Sequence, residues 1–118
     1  MNSKQTGFRR LYFATYYSLK GLKAAFASEA AIRQELAVIS LLVPVTFWLN
    51  VSSAEQVLLV MSLVIVLIAE LMNTALEALA DHISTDVHAL IGKAKDVGSA
   101  AVFVSLVMAG LTWAIILF

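Results

Sequence analysis

The 118-residue chain has no cysteine, one proline and five glycines, and only 14% of its residues are charged. Without cysteine there can be no disulfide, no thiolate metal site and no cysteine nucleophile. So few prolines and glycines exclude a collagen-like or loop-dominated chain. The scarcity of charge restricts the reading most, because a soluble domain carries charge on about a quarter of its residues. Neither of the glycine-rich phosphate-loop patterns, G-x-x-x-x-G-K-S/T or G-x-G-x-x-G, occurs, and no H-x-x-H pair points to zinc.

What fills the chain instead is apolar. Hydrophobic residues make up 61%, which excludes intrinsic disorder. A chain this short has little interior in which to bury such an excess. Leu36–Ala54 and Val97–Phe118 are free of charge, and each approaches or exceeds the roughly 20 residues that cross a bilayer. Between them, Gln56–Ala69 is also uncharged, and its apolar character continues through ELMNTALEALAD with only Glu70, Asn73 and Glu77 interrupting before Asp81. The expected fold is an all-α membrane protein. It is a single domain, 1–118, with an N-terminal amphipathic surface helix at 7–27 and transmembrane helices at 29–50, 54–82 and 91–117.

The eight positive and eight negative charges cancel, but their placement is uneven. Lys4, Arg9, Arg10, Lys20, Lys23 and Arg33 precede or open the first span, and Lys93 and Lys95 lie between the second and third. All eight therefore fall on one side, which predicts a cytoplasmic N-terminus. In 7–27, Phe8, Leu11, Thr15, Leu19, Leu22 and Phe26 share one helical arc while the basic residues share another. That pattern suits a helix lying in the interface plane. A signal peptide ending near Ala25-Phe26-Ala27 is the competing reading, disfavoured by Lys20 and Lys23 within the apolar region.

Pro44 lies inside the first span, where a kink is tolerated. Trp48 and Trp113 sit near outer span ends, as interfacial tryptophans do. Ala94, Gly98, Ala101, Ser105 and Ala109 form a small-residue stripe that lets helices approach closely.

The chemistry-bearing feature is the polar stripe in the second span. Relative to Glu70, Asn73, Glu77 and Asp81 fall at about 300°, 340° and 20° around a helix. Ionisable groups within a span are costly and mark function by default, although such a stripe can also simply hold helices together. A carboxylate at the depth of Glu70 suits a general base, or a proton carrier in a transporter. At the same inner depth, EAAIRQE places Glu29 and Arg33 as i,i+4 partners, extended by Gln34 and Glu35. Taken alone, that cluster reads as a solvated helix start. Two carboxylates converging there, Glu29 and Glu77, offer the hard oxygens that magnesium prefers, with phosphates and waters completing its shell. GKAKDVGSAAV adds Lys93, Lys95, Asp96 and Ser99 to the same interface, where lysine can meet phosphate as a point charge. His82 and His88 read as solvated loop histidines.

ELMNTALEALAD, GLKAAFASEAAIRQE and GKAKDVGSAAV together resemble the prokaryotic integral-membrane diacylglycerol kinase family, with the similarity running from Gly7 to Trp113. The resemblance implies a homotrimer with shared active sites in the bacterial cytoplasmic (inner) membrane. It implies transfer of the γ-phosphoryl group of ATP to the primary hydroxyl of sn-1,2-diacylglycerol, with Mg2+ as cofactor and phosphatidic acid as product. Glu70 matches the proton acceptor, Asn73 and Lys95 act beside it, and Glu29 and Glu77 match the metal pair. Arg10, Tyr17, Glu29, Glu77, Asp86, His88, Lys95 and Asp96 match nucleotide contacts. Arg10, Ser18, Gln34, Glu35, Trp48, Glu70, Ser99 and Trp113 match positions near the lipid. Undecaprenol kinases share these motifs, and a small proton-coupled transporter is the non-enzymatic alternative. No nucleic-acid partner is expected.

Overall fold

The computed structural model describes residues 6–83 and 89–118, and among them every regular element is helical. The four helices are α1 (Gly7–Ser28), α2 (Ala30–Val45), α3 (Ser53–Ile83) and α4 (Ala89–Leu117).

A single residue separates α1 from α2. Glu29 takes an extended conformation (φ −118°, ψ 114°), so the chain bends there while its amide still donates to the Ala25 carbonyl at 2.9 Å. On either side the sequence is rich in alanine and other good helix formers, and only the backbone of Glu29 breaks the run.

Helix α2 has 16 residues, a rise of about 24 Å. Pro44 sits one residue before its end. The final carbonyls are then taken up by a tightening turn: the Thr46 amide donates to Leu42 and Val43, Phe47 to Pro44 and Trp48 to Val45. Bonds of this i→i+3 kind satisfy the orphan acceptors of a helix end. The connection into α3 is pinned by a reciprocal capping box. The Ser52 amide donates to Glu55 Oε1 (2.9 Å) and the Glu55 amide to Ser52 Oγ (3.1 Å). Gln56 Nε2 reaches back to Thr46 Oγ1 at 3.2 Å, tying α2 to α3.

Helices α3 and α4 are long and apolar enough to cross a membrane. They pack antiparallel along most of their length, and three contacts set the register. At one end Trp113 Nε1 donates to Ser62 Oγ (3.1 Å) and the Leu59 carbonyl (3.3 Å). Towards the other, Gly98 lies against Asn73 and Leu76, and Lys95 pairs with Asp81. Three residues of the small stripe, Gly98, Ser105 and Ala109, are buried, whereas Ala94 and Ala101 are exposed. Within a bilayer the hydrophobic effect does not drive helices together, so close packing over small residues carries the association.

Among the described residues the buried apolar core is small, with Ile32, Leu59 and Val66 its only large members below 2% exposure. Large apolar side chains instead face outward, Leu41, Phe47, Phe103 and Ile115 each by 67% or more. Apolar surface on this scale is covered by lipid or by other helices, not by water. The chain is a membrane protein.

Candidate active site

The half of α3 nearest the α1–α2 bend carries the polar stripe on one face. Asn73 Nδ2 donates to Glu77 Oε1 at 3.1 Å, an i,i+4 contact that helical spacing alone supplies. The other half of the Asn73 amide, Oδ1, is buried without a hydrogen-bond partner among the described residues. It presses on Gly98 of α4, where a Cβ would collide with it. Thr74 Oγ1 back-bonds to the Glu70 carbonyl (2.9 Å). The Glu70 carboxylate is left without a hydrogen bond or ion pair among the described residues. It is half-buried and lies close enough to Glu29, Glu35 and Glu77 for their charges to interact.

The structure thus brings four carboxylates together from three places: the bend (Glu29), the first turns of α2 (Glu35) and α3 (Glu70, Glu77). Glu35 Oε1 is buried and, like Asn73 Oδ1, has no hydrogen-bond partner among the described residues. The described residues contain one salt bridge, and its lysine also lies close enough to Glu77 for their charges to interact. Lys95 Nζ lies 2.6 Å from Asp81 Oδ1, one turn beyond Glu77, with both side chains well exposed.

Arg33 corrects an expectation. The i,i+4 spacing suggested a pair with Glu29, but the Arg33 guanidinium turns back to α1, where Nη1 donates to the carbonyls of Phe26 (2.6 Å) and Ala27 (3.2 Å). Because Glu29 is extended, it does not share a helical face with Arg33, and its carboxylate is left without that cation.

A cluster of carboxylates in which Glu29 and Glu70 have no ion-pair partner among the described residues has the donor chemistry of a hard cation. No group of three or more His, Asp or Glu among the described residues is arranged to hold an ion by itself. The hard carboxylate oxygens present fit magnesium by their chemistry, since magnesium keeps waters and takes one or two carboxylates together with substrate phosphates.

Arg10 and Tyr17 are exposed on α1, as are Asp96 and Ser99 on α4. Asp86 and His88 lie outside the described residues. Ser18 donates to the Ala14 carbonyl (2.8 Å) and borders an open, largely apolar groove of about 590 Å³ between α1 and α3. Its small lining residues include Gly21, Ala25, Thr74 and Ala78. Gln34 is exposed beside Glu35. Trp48 (82% exposed) and Trp113 are not brought to this cluster within one chain. Trp113 bonds at Leu59, eleven residues from Glu70 along α3 or about 16 Å of helical rise.

Gly98 and most of the groove lining are the additions the sequence did not place in the site, while Asp81 and Arg33, read in the polar stripe and the helix start, take partners that spacing alone did not give. The interval between Asn73 and the small stripe of α4 was the one available signal for Gly98, and reading it requires the antiparallel register.

A family description, Prokaryotic diacylglycerol kinase, matches residues 16–117. The chain belongs to the prokaryotic diacylglycerol kinase family. Every candidate residue except Arg10 falls within the matched segment. Relatives named diacylglycerol kinase include one from Escherichia coli (strain K12), 45% identical over 99% of this chain and 96% of its own length. One from Pseudomonas aeruginosa is 48% identical over 96% of this chain and 92% of its own length. One from Haemophilus influenzae is 44% identical over 98% of both.

Proposed function

We propose that the chain phosphorylates the primary hydroxyl of sn-1,2-diacylglycerol with MgATP, releasing phosphatidic acid and ADP. The observation that carries this reading is the half-buried, unpaired Glu70 amid Glu29, Glu35 and Glu77, in a chain of this kinase family. Glu70 takes the proton of the lipid hydroxyl as its oxygen attacks the γ-phosphorus, and the γ–β bridging oxygen leaves with ADP. Phosphoryl transfer needs little covalent help beyond position and charge neutralisation, which suits a small helical chain. Glu29 and Glu77 would hold magnesium, which when bound would supply positive charge to the phosphate oxygens. Asn73 orients Glu77 through its 3.1 Å bond. Lys95 contributes a point charge to phosphate. Arg10, Tyr17 and Asp96 on their helices, with Asp86 and His88, contact the nucleotide.

Ser18, Gln34, Glu35 and Ser99 border the lipid near the reacting hydroxyl, with Trp48 and Trp113 towards the outer leaflet and Arg10 at the headgroup. In this reading α1 lies on the cytoplasmic surface of the bacterial inner membrane. Residues 29–50, α2 with the turn that ends it, form a first span beside α3, and the N-terminus is cytoplasmic. The outward apolar faces of α2, α3 and α4, with a polar stripe that must not face lipid, support a homotrimer with shared sites.

The deciding assay presents purified, detergent-solubilised protein with MgATP and mixed micelles of either sn-1,2-diacylglycerol or undecaprenol. Phosphatidic acid should form fastest. Faster phosphorylation of undecaprenol would move the acceptor assignment, and phosphorylation of neither lipid would end the kinase reading.

Three variants probe the cationic partners. Glu29→Gln or Glu77→Gln should raise the magnesium concentration giving half-maximal activity by at least about tenfold, as loss of a metal-site group does. An unchanged magnesium profile would remove the pair as ligands. Asp81→Asn should release Lys95 for phosphate. An exposed ion pair is weak, so KM for MgATP should fall by no more than about fivefold with kcat little changed. A raised KM would show instead that Asp81 holds Lys95 in its working position.

A further inference from the structure

We infer that Arg33 is a positioning residue: by bonding the end of α1 across the Glu29 break, it fixes the angle between α1 and α2 and so the place of Glu29 beside Glu70. Where α1 stops, the last four carbonyls of the helix lose their internal partners. Ala25 O is taken by the Glu29 amide (2.9 Å). Phe26 O and Ala27 O are both taken by Arg33 Nη1, at 2.6 and 3.2 Å. The Arg33 amide in turn donates to the Glu29 carbonyl at 3.3 Å. Arg33 therefore contacts both flanks of a one-residue hinge, with its backbone in α2 and its guanidinium on α1. A cation is also favoured at a helix C-terminus, where the carbonyl ends concentrate negative charge.

Little else holds this joint. Ala25 is the one buried residue of α1, and the groove beside it leaves α1 and α3 apart over Ser18 to Ser28. Without the guanidinium, α1 would swing about Glu29, and the nucleotide-facing residues of α1 would swing with it. Sequence spacing assigns Arg33 to Glu29 as a counter-ion. The geometry assigns it to the backbone, which keeps the Glu29 carboxylate available. The consequence for catalysis rests on the kinase reading above, whereas the consequence for the hinge does not.

The chain contains no cysteine, so two introduced cysteines can carry spin labels without background. Leu19→Cys on α1 and Leu41→Cys on α2 flank the bend at exposed positions, 62% and 68% accessible. Labelled protein is diluted with unlabelled protein so that only intramolecular pairs report, and distances are read by pulsed dipolar spectroscopy. With Arg33 present the distribution should be narrow. R33Q and R33M should broaden or shift it, two variants being used so that misfolding of one does not end the test. R33K, whose ammonium can donate to both carbonyls, should restore it. In the same preparations R33Q should raise KM for MgATP by about tenfold or more and leave kcat at saturating nucleotide within about threefold, the split expected of lost binding geometry. Wild-type distributions in both R33Q and R33M would overturn the hinge role. A broadened distribution with unchanged KM for MgATP would overturn its link to the site. Inactivity of the unsubstituted protein on either lipid would instead overturn the kinase reading, leaving the distance result to stand alone.

Discussion

Replacing Glu70 with glutamine is expected to lower kcat by between about 10²- and 10⁴-fold, the range that loss of a positioned general base produces. Glutamine keeps the size and planarity of the side chain, so helix packing around α3 should survive. It also removes one negative charge from a set of four carboxylates close enough to interact. Nucleotide and magnesium affinity should therefore be retained or slightly improved while turnover collapses. That combination separates loss of a base from loss of fold, because a structural failure would weaken binding as well. The check is steady-state lipid phosphorylation in mixed micelles, with nucleotide binding measured separately on the same protein. A kcat within threefold of the unsubstituted protein would remove Glu70 as the proton acceptor, whatever its effect on binding. Retained binding with normal turnover would then shift attention to Glu35, whose Oε1 is buried without a hydrogen-bond partner among the described residues.

Much of this site could be read in the linear sequence because helical periodicity places it. Glu70, Asn73, Glu77 and Asp81 follow one another at steps of three and four, so a single helix aligns them whatever surrounds it. The 3.1 Å bond from Asn73 to Glu77 is local in the same sense. The two long apolar helices were legible for a related reason, since their length and composition leave few other states. Where one residue leaves the helical pattern, the same logic fails. Glu29 and Arg33 are four apart, yet the extended backbone at Glu29 removes the shared face that an i,i+4 pair needs, and the arginine finds unsatisfied carbonyls instead. Charge-free length was also an imperfect guide to helix length. The uncharged run through Ala54 includes the turn that Pro44 helps to start, so α2 ends at Val45 although Phe47, Trp48 and Leu49 continue the apolar character.

Contacts between helices were the least legible. The small-residue stripe of α4 was visible as a periodicity, but which member meets which residue of α3 depends on the antiparallel register. The stripe's own spacing does not contain that register. Trp113 shows the difficulty: near the end of a span it has the composition of an interfacial anchor, whereas its indole N–H is bonded within the α3–α4 seam. A buried indole donor needs an acceptor, and Ser62, itself bonded to the Leu59 carbonyl at 2.7 Å, supplies one. Serine in an apolar helix thus acts as a register mark that composition alone does not reveal.

The register has its largest consequence at Gly98. Alanine there should reduce activity by on the order of 10²-fold, the scale of loss that a misplacement of about 1 Å at a reacting centre can cause. In an isolated helix the change would be favourable by about 1 kcal/mol, because alanine is the better helix former. In the packed protein the added methyl would collide with Asn73 Oδ1 and come within 3.3 Å of Leu76 Cδ1. Leu76 can yield by turning its side chain. Asn73 has less freedom, since its amide nitrogen is already committed to Glu77 and its oxygen is buried. Either the amide moves, releasing Glu77, or α4 shifts outward and carries Lys95 and Ser99 with it. Overpacking of this kind costs about 1–3 kcal/mol, so Gly98→Ala should lower thermal stability modestly while removing most activity. Gly110→Ala is the matched control, because a Cβ at that position on the same helix meets nothing within 4 Å. It should retain activity within about twofold and gain stability by helix propensity. Melting temperature and lipid phosphorylation, measured on both variants in one detergent, separate the two effects. Full activity in Gly98→Ala would mean that the Asn73–Gly98 contact does not set the position of Glu77. Equal losses in both variants would point to α4 as a whole and away from that contact.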